Sequence, residues 1–261
     1  MHDMQPLLAT ASGGGVGFLL GLLGDGGSVL AVPLLLYVVG APNPHMAIGT
    51  SALGVSANAA VGLFGHARKG AVKWPCAIVF SIAGLVGAFI GSSLGKMVSP
   101  QPLMLLFAAA MVGVAASMFR AAAAGGDADV HINPRIGARL AVVGFLAGLA
   151  SGFFGIGGGF LIVPGLMLAA RMPMSNAVGS SLVSVMVFGA ATAANYALSG
   201  FVLWEVAGWM ILGGVIGGAL GVWASRKLSA RRALLQRMFA GFVLLTAGWV
   251  AFNAVSGAHG S

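Results

Sequence analysis

The sequence has little charge: Lys, Arg, Asp and Glu together make up 7% of its 261 residues. A soluble domain carries about 25% charged residues, so this chain lacks the side chains that would cover a water-facing surface. Hydrophobic residues supply 59% of the chain, and the mean hydropathy is +1.00. The apolar runs are long and do not alternate, which excludes a β-barrel built from segments of about 10 residues. The composition predicts an all-α polytopic membrane protein.

Cysteine and clusters of catalytic side chains are also lacking. The single cysteine, Cys76, excludes an internal disulfide and a multi-cysteine metal site. The sequence shows no paired carboxylates, no metal-ligand cluster and no Ser-His-Asp pattern, so we expect no enzyme, no catalytic residue, no metal and no cofactor. The first residues contain no Lys or Arg and no clear cleavage site follows, so we expect no cleaved signal peptide.

Glycine, in contrast, is abundant, with 43 residues. Many glycines recur at a spacing of four, which places them on one helix face and lets two helices approach closely. Four such stripes occur: Gly13, Gly17 and Gly21; Gly87, Gly91 and Gly95; Gly144, Gly148 and Gly152; and Gly213, Gly217 and Gly221. We interpret them as helix-packing faces, which serve contacts within the chain or a homodimer.

A glycine motif occurs twice, 131 residues apart: GDGGSVLAVP at 24–33 and GIGGGFLIVP at 155–164, with six of ten positions identical. The duplication continues beyond the motif, because AIGTS at 47–51 matches AVGSS at 177–181. The repeat predicts two homologous halves joined by a polar cytoplasmic linker, with boundaries at 1–120, 121–134 and 135–261.

Each half fits five helical segments, roughly 7–23, 28–39, 45–66, 74–95 and 101–120, then 139–154, 159–170, 176–199, 204–225 and 233–254. A full membrane span needs about 20 apolar residues, which the third, fourth and fifth segments of each half provide. The second segments, at about twelve residues, are too short to span alone. Each therefore pairs with the first segment as a re-entrant hairpin or as a broken pair of helices, for roughly 8–10 transmembrane segments in all.

The basic residues lie in loops, and their distribution differs between the halves. Arg68, Lys69 and Lys73 follow the third segment of the first half. In the second half the basic residues follow the fourth segment instead, as Arg226, Lys227, Arg231, Arg232 and Arg237. Because cytoplasmic loops are enriched in Lys and Arg, we predict inverted topology for the two halves, with both termini outside. The net charge of +8 then needs no nucleic-acid partner.

Interrupted helices at matching places in two inverted halves indicate a transporter's binding site. Each glycine motif precedes a short helix whose first amides suit an anion, and inversion would bring the two helix starts together near the membrane midplane. The candidate substrate-binding residues there are Gly26, Gly27, Ser28, Gly157, Gly158 and Gly159. The alternative interpretation is that these glycines only allow helices to cross closely.

Small polar residues recur in the third segments and form a second candidate set. Their hydroxyl and amide groups can hydrogen-bond the oxygens of an oxyanion, although each can equally bond its own helix or a neighbouring one. The substrate-binding candidates of this set are Thr50, Ser51, Asn58, Ser180, Ser181 and Asn195.

Asp25 is the only acidic residue deep in an apolar segment. An ionisable group there is costly and by default functional, which makes Asp25 a candidate for proton coupling. The alternative role is to cap the following helix. Its counterpart in the second motif is Ile156, so the two motifs are chemically unequal. His45 and His66 flank the third segment of the first half, where an interfacial role competes with proton transfer.

With both motifs in register, the chain resembles the TauE/SafE sulfite exporter family, also called the TSUP family. The resemblance rests on Gly-x-Gly-Gly-Gly-x4-Pro at 155–164, its variant at 24–33, and the segments at 47–51 and 177–181. It implies a permease of the bacterial inner membrane that moves sulfite, sulfonates or other small sulfur-containing anions by secondary transport. Ser28 departs from the family motif, which has glycine at that place.

The sequence and this resemblance predict a secondary transporter, acting as an exporter, that works by alternating access between the halves. A passive anion channel, an intramembrane enzyme and a non-transporting membrane subunit are the alternatives. The expected partners are a small anionic solute, membrane lipid, a proton or other coupling ion and a second copy of the chain.

Overall fold

The computed structural model describes residues 4–23, 25–68, 70–120, 133–155, 159–227 and 232–256. Within these residues the chain forms ten α-helices and one 3-10 helix, and no strand, which confirms the predicted all-α fold. In chain order the elements are α1 (Gln5–Leu23), the 3-10 helix (Asp25–Leu30), α2 (Ala31–Tyr37), α3 (Pro44–Ala67), α4 (Trp74–Met97), α5 (Pro100–Arg120), α6 (Pro134–Phe154), α7 (Gly159–Ala170), α8 (Met174–Ala197), α9 (Trp204–Lys227) and α10 (Arg232–Val255). Residues 121–132 of the predicted linker lie outside the described part.

Asparagine caps start two of the long helices. The Oδ1 of Asn43 accepts a hydrogen bond from the N–H of Met46 at 2.8 Å, ahead of α3. The Oδ1 of Asn133 accepts one from Ile136 at 2.8 Å, ahead of α6. A proline follows each asparagine, and its fixed φ suits the first helical turn. α6 therefore begins at Pro134, earlier than the predicted residue 139.

The first glycine motif forms a 3-10 helix where the sequence predicted an α-helix over 28–39. Residues Asp25–Leu30 are 3-10, and α2 covers only Ala31–Tyr37. Glycine is a poor α-helix former, and Gly26 and Gly27 lie in this segment. The second motif differs, because α7 is α-helical over the whole of Gly159–Ala170.

Six helices among the described residues are long and apolar enough to cross a membrane, which supports a multi-pass membrane protein. These spans are Pro44–Ala67, Trp74–Met97, Pro134–Phe154, Met174–Ala197, Trp204–Ala224 and Met238–Val255. The set includes α6, which the sequence did not place among the full spans, because the Asn133 cap lengthens it. α5 contributes the shorter apolar stretch Pro100–Ala116.

Helices of the two halves interlock, and the major contacts occur in equivalent pairs. α1 packs along α9 as α6 packs along α4, and α3 contacts α9 as α8 contacts α4. Two further pairs join equivalent helices, α3 with α8 and α5 with α10. Exchanging the halves therefore maps this packing onto itself, and the two repeats contribute to one bundle.

The glycine stripes bring these helices into backbone contact. A Cβ at Gly17 of α1 would overlap the carbonyl of Gly214 in α9, and a Cβ at Gly148 of α6 would overlap the carbonyl of Gly84 in α4. Small residues allow such close approach where no water drives helices together. The interpretation of the stripes as packing faces within the chain is confirmed.

α3 and α8 cross in opposite directions. The Oγ of Ser56 donates to the carbonyl of Met186 at 2.7 Å, and Gly62 faces Leu182. Residue numbers therefore rise along α3 as they fall along α8. Antiparallel packing of equivalent helices is what an inverted repeat requires. The inversion across a bilayer remains a prediction.

The basic segments of both halves lie at one end of the bundle. α3 and α9 run parallel from the Thr50–Leu203 hydrogen bond onward, so their C-terminal ends, with Arg68 and Lys227, are neighbours. α4 and α6 also run parallel, and both begin at this end, where Arg135 lies. By the positive-inside rule we expect this end to face the cytoplasm.

Each half begins with a hairpin formed around its glycine motif. α6 runs out along α4 as far as Gly155, and α7 turns back, so that Gly165 faces Val143 of α6. In the first half, Gly27 packs against Leu20 of α1, which shows the same return of the chain. Each hairpin is followed by three long helices.

Candidate functional site

The second glycine motif turns the chain beside the start of α3. Gly155 ends α6 with φ at 66°, a left-handed conformation that glycine adopts at little cost. A Cβ at Gly155 would overlap the side chain of Ile48. The Oγ of Ser51 donates to the Gly155 carbonyl at 3.3 Å. α3 thus closes over the end of α6. Gly157 and Gly158 lie outside the described residues, and Gly159 is the first residue of α7.

The first glycine motif is packed through its 3-10 helix. Gly26 lies in this helix, Gly27 is buried against α1, and Ser28 is fully buried. Close packing at Gly27 agrees with the alternative interpretation of these glycines, and anion binding by their amides stays a prediction. Asp25 is the first residue of the 3-10 helix, and its side chain lies outside the described part. Its proposed proton coupling therefore also stays a prediction.

The two motif turns lie at different depths. Near the end of α1, Gly21 packs against Gly218 in the second half of α9. At the end of α6, Gly155 packs against Ile48 near the start of α3. Because α3 and α9 run parallel, Gly21 and Gly155 lie toward opposite ends of the bundle, and the expected meeting of the two helix starts near the membrane midplane stays a prediction. The 3-10 helix and α7 are in contact, so the segments that follow the two motifs do meet.

Thr50 and Ser180 occupy equivalent places and form equivalent hydrogen bonds. Each is fully buried, and its hydroxyl oxygen accepts from a backbone N–H: that of Leu203 for Thr50, at 3.0 Å, and that of Lys73 for Ser180, at 2.8 Å. These N–H groups precede α9 and α4, where the first turn has no acceptor of its own. Both hydroxyls have a structural partner, and substrate binding by them remains a prediction.

Ser51 and Ser181 are also equivalent, and both are fully buried. Each donates to the carbonyl three residues earlier in its own helix, Ser51 to Ile48 at 2.9 Å and Ser181 to Val178 at 2.7 Å. These bonds agree with the own-helix alternative. Ser51 also ties α3 to the second turn.

The two predicted asparagines lie in different environments. Asn58 is 5% exposed, packs against Gly214, and has no hydrogen-bond partner at either Nδ2 or Oδ1. Asn195 instead joins α8 to α4: its Nδ2 donates to Ser92 Oγ at 2.6 Å, and its Oδ1 accepts from Lys96 Nζ at 2.8 Å. Of these two candidates, only Asn58 has an amide without partners in the described protein.

A group of buried hydroxyls lies around the end of α6, and the sequence analysis missed two of them, Ser151 and Tyr196, whereas Thr192 is one of the small polar residues of the third segments. Ser151 Oγ, Thr192 Oγ1 and Tyr196 Oη have no hydrogen-bond partner among the described residues, and none of these three residues is more than 2% exposed. Recurrence in both halves favoured Thr50, Ser51, Ser180 and Ser181, whereas Ser151 corresponds to Leu20 and Tyr196 to His66. Positions at which one half carries a hydroxyl and the other half does not could have identified Ser151 and Tyr196 from the sequence.

Lys96 was also missed. Its Nζ donates to three neutral oxygens: the Asn195 carbonyl at 3.0 Å, the Asn195 Oδ1 at 2.8 Å and the Ser199 Oγ at 2.9 Å. These bonds fix the ammonium group without neutralising its charge. Nζ lies 5.9 Å from the centroid of the Tyr196 ring. As Lys96 is near the C-terminal end of α4, it stands at the bundle end opposite the basic segments.

The chemistry available at the second turn is that of hydrogen-bond donors and one fixed positive charge. Among the described residues, no three His, Cys, Asp or Glu side chains lie together in a way that could hold a metal ion. Hydrogen-bond donors and a cation can bind and orient an anion.

Comparison with known proteins identifies the family. The family model described as "Sulfite exporter TauE/SafE" matches residues 9–250. A "Probable membrane transporter protein" of Xylella fastidiosa strain 9a5c is 50% identical over 253 residues, which cover 96% of this chain and 97% of that protein. The "Probable membrane transporter protein YunE" of Bacillus subtilis is 28% identical over 247 residues, which cover 85% of this chain and 88% of YunE. No solved structure gives a significant match. The matched residues include both hairpins and the α3–α8 pair, and the chain, a multi-pass membrane transporter, belongs to the sulfite exporter TauE/SafE family.

Proposed function

We propose that this transporter moves a small sulfur-containing anion, such as sulfite or an organosulfonate, across the bacterial inner membrane by secondary transport. The family's named role supports the choice of anion. The observation that carries the proposed mechanism is the pairing of the helix contacts, in which exchange of the halves maps one interface onto the other. In such a bundle, a small difference in conformation between the halves opens the binding site to one side of the membrane. When the two halves exchange conformations, the site opens to the other side.

The moving parts in this mechanism are two pairs of helices. α1 with α9 and α4 with α6 are each joined through backbone contacts at glycines, so each pair is expected to move as one body. The antiparallel α3 and α8 lie between them and carry most of the predicted binding side chains. Rocking of the pairs against α3 and α8 would expose the anion alternately to the two sides.

The transport class is tested by counterflow in proteoliposomes. Vesicles loaded with unlabelled sulfite or isethionate should accumulate labelled anion from outside, whereas protein-free vesicles should not. Labelled anion recovered chemically unchanged would exclude an intramembrane enzyme. Flux without trans-stimulation would favour a passive anion channel. Absence of flux, together with no thermal shift from sulfite, sulfonates or carboxylates, would favour a non-transporting subunit.

The inverted topology is tested by labelling from one side. We expect Lys69→Cys and Arg231→Cys, each made in a Cys76→Ala background, to react with an impermeant maleimide only from the cytoplasmic side. This result would support the predicted topology, with both termini outside and the linker in the cytoplasm. Labelling of the two positions from different sides would contradict the inversion.

Proton coupling is tested at Asp25. Asp25→Asn should abolish flux driven by a pH gradient and spare exchange of anion between the two sides, because only the step that carries the proton is removed. Asp127→Asn in the linker is the matched control and should behave as the wild type. An unchanged pH dependence in Asp25→Asn would reject Asp25 as the coupling group.

A further inference from the structure

We propose that a single anion-binding site lies beside the end of α6, formed by the hydroxyls of Ser151, Thr192 and Tyr196 and by the charge of Lys96, and that the described residues of the first hairpin do not repeat these hydroxyls. The inference deepens the proposed function, since it assumes that the transported solute is a small oxyanion. In this proposal, four residues outside the repeated motifs hold the solute.

Ser151 and Thr192 lie at the same depth in the bundle. Ser151 belongs to the last turn of α6, and the next residue, Gly152, packs against Ala88 of α4. Two side-chain hydrogen bonds join α4 to α8, Ser81 with Ser184 and Ser92 with Asn195, and the partners in each are 103 residues apart in sequence. The same separation places Thr192 of α8 level with Phe89 of α4. Because α4 runs parallel to both α6 and α8, these two hydroxyls share one layer.

Tyr196 follows Thr192 by one helical turn and lies on the same side of α8. A Cβ placed on Gly95 would lie 3.2 Å from the Oη of Tyr196 and 2.7 Å from the carbonyl oxygen of Phe153. The phenol therefore lies near the Phe153 carbonyl in the last turn of α6, the turn to which Ser151 belongs. A buried tyrosine hydroxyl usually has a partner, so its lack of one within the protein needs an explanation.

The three hydroxyls and Lys96 form a set that suits an oxyanion. Each hydroxyl can donate one hydrogen bond, and an oxyanion of sulfur offers several acceptor oxygens. Lys96 supplies the charge and is fixed by Asn195 and Ser199. Its Nζ lies 5.9 Å from the centroid of the Tyr196 ring. Its partners Asn195 and Ser199 follow Thr192 by one to two helical turns, so the charge lies beyond the layer of Ser151 and Thr192, on the side of Tyr196. The positioning residue of the site is Asn195, which acts through Lys96.

The corresponding positions lack the hydroxyls and keep a basic residue, because Lys96, which belongs to the first half, corresponds to Arg226. Leu20 corresponds to Ser151, Gly62 to Thr192 and His66 to Tyr196, so none of them carries a hydroxyl. The repeat therefore kept the hairpin and changed the side chains around it. The site lies toward the bundle end opposite the basic segments, and in the proposed topology this end faces the outside.

The test measures anion binding and stability of the purified full-length protein together. Ser151→Ala, Thr192→Val and Tyr196→Phe are each expected to weaken binding of sulfite and methanesulfonate by about tenfold, the loss typical of one hydrogen bond to a charged group. The melting temperature without anion should stay the same or rise, because each change removes an unpartnered buried hydroxyl. Tyr37→Phe and Thr246→Val, at the other tyrosine and at an exposed threonine, are the matched controls and should bind as the wild type.

The charge is tested separately at Lys96. Lys96→Met should weaken binding at least tenfold and make the remaining binding less sensitive to added chloride, whereas Lys96→Arg should keep affinity within about threefold of the wild type. If the wild type binds these anions and the hydroxyl variants bind them equally well, the second turn is not the site, and the proposed function stands. If the wild type binds none of the anions, the proposed function itself fails. A lower melting temperature with unchanged affinity would assign the hydroxyls to structure and overturn the inference.

Discussion

The two halves of this transporter share their backbone contacts and differ in the side chains placed between them. Asn58 of α3 lies against Gly214 of α9, and its equivalent, Phe188 of α8, lies against Gly84 of α4. The amide of Asn58 has no partner, whereas the ring of Phe188 stacks on Phe80 with centroids 6.2 Å apart. The glycines hold the same helix spacing in both places. The repeat therefore preserves the spacing of the helices, whereas the polarity of the side chains between them differs between the halves.

The largest loss of stability should follow from replacing the glycines at the helix interfaces by larger residues. Gly17→Leu in the first half and Gly148→Leu in the second should each lower the free energy of unfolding by about 3 kcal/mol, because the new side chain falls on the backbone of Gly214 or Gly84, which cannot move aside. The loss is measured by fluorescence-detected size exclusion and thermal unfolding. Gly15→Leu is the control, since a Cβ there meets nothing within 4 Å. Wild-type stability in either interface variant would contradict the role assigned to the stripes.

A second prediction concerns the contact of Asn195 in α8 with Lys96 and Ser92 in α4, for which the repeat has glycine, Gly65, at the position of Asn195. Asn195→Leu should lower the free energy of unfolding by about 2 kcal/mol, because Lys96 loses a partner and Ser92 loses its donor. At the equivalent place in the first half, Gly65 faces open space, so Gly65→Asn should change stability by less than about 0.5 kcal/mol. Chemical unfolding of the two variants checks the contrast. Equal effects at the two positions would remove this difference between the halves.

A third prediction concerns a contact that both halves share. Thr50→Val and Ser180→Ala should each lower the free energy of unfolding by about 1 kcal/mol, because each leaves a backbone N–H, of Leu203 or Lys73, without its acceptor. Thr50→Ser keeps the hydroxyl and is the control. Stability and transport are measured on the same samples. Lost transport at unchanged stability would instead support the prediction that these hydroxyls bind substrate.

The fold was predictable to the extent that it follows from composition and spacing. Long apolar runs predict the helices, and the glycines at a spacing of four predict the packing faces of α1, α4, α6 and α9. The 3-10 start of the first short helix was not predictable, because it depends on how Gly27 packs against α1. The early start of α6 was missed because the Asn133 cap lies ahead of the apolar run.

The site was less predictable, for a physical reason. Recurrence in both halves selected Thr50 and Ser180, whose hydroxyls bond the backbone at the starts of α9 and α4. Such residues recur because both halves need the same helix junction. Whether a polar side chain is left without a partner depends on which helices surround it. Tyr196 and Ser151 are far apart in sequence, and only the packing of α8 near the end of α6 shows that both lack one.

The smallest expected effect concerns Asn58 and its equivalent Phe188. Asn58→Leu should leave the free energy of unfolding unchanged or raise it by about 1 kcal/mol, because it replaces a buried amide without partners by an apolar side chain. Phe188→Leu, which places the same residue at the equivalent position, should lower it by about 1 kcal/mol through lost packing on Phe80. The two variants place the same side chain at equivalent positions, and thermal unfolding compares the loss of an unpartnered amide with the loss of ring packing. A clear loss of stability in Asn58→Leu would mean that the amide is satisfied in the folded protein, and the polarity contrast between the halves would then not cost stability at this position.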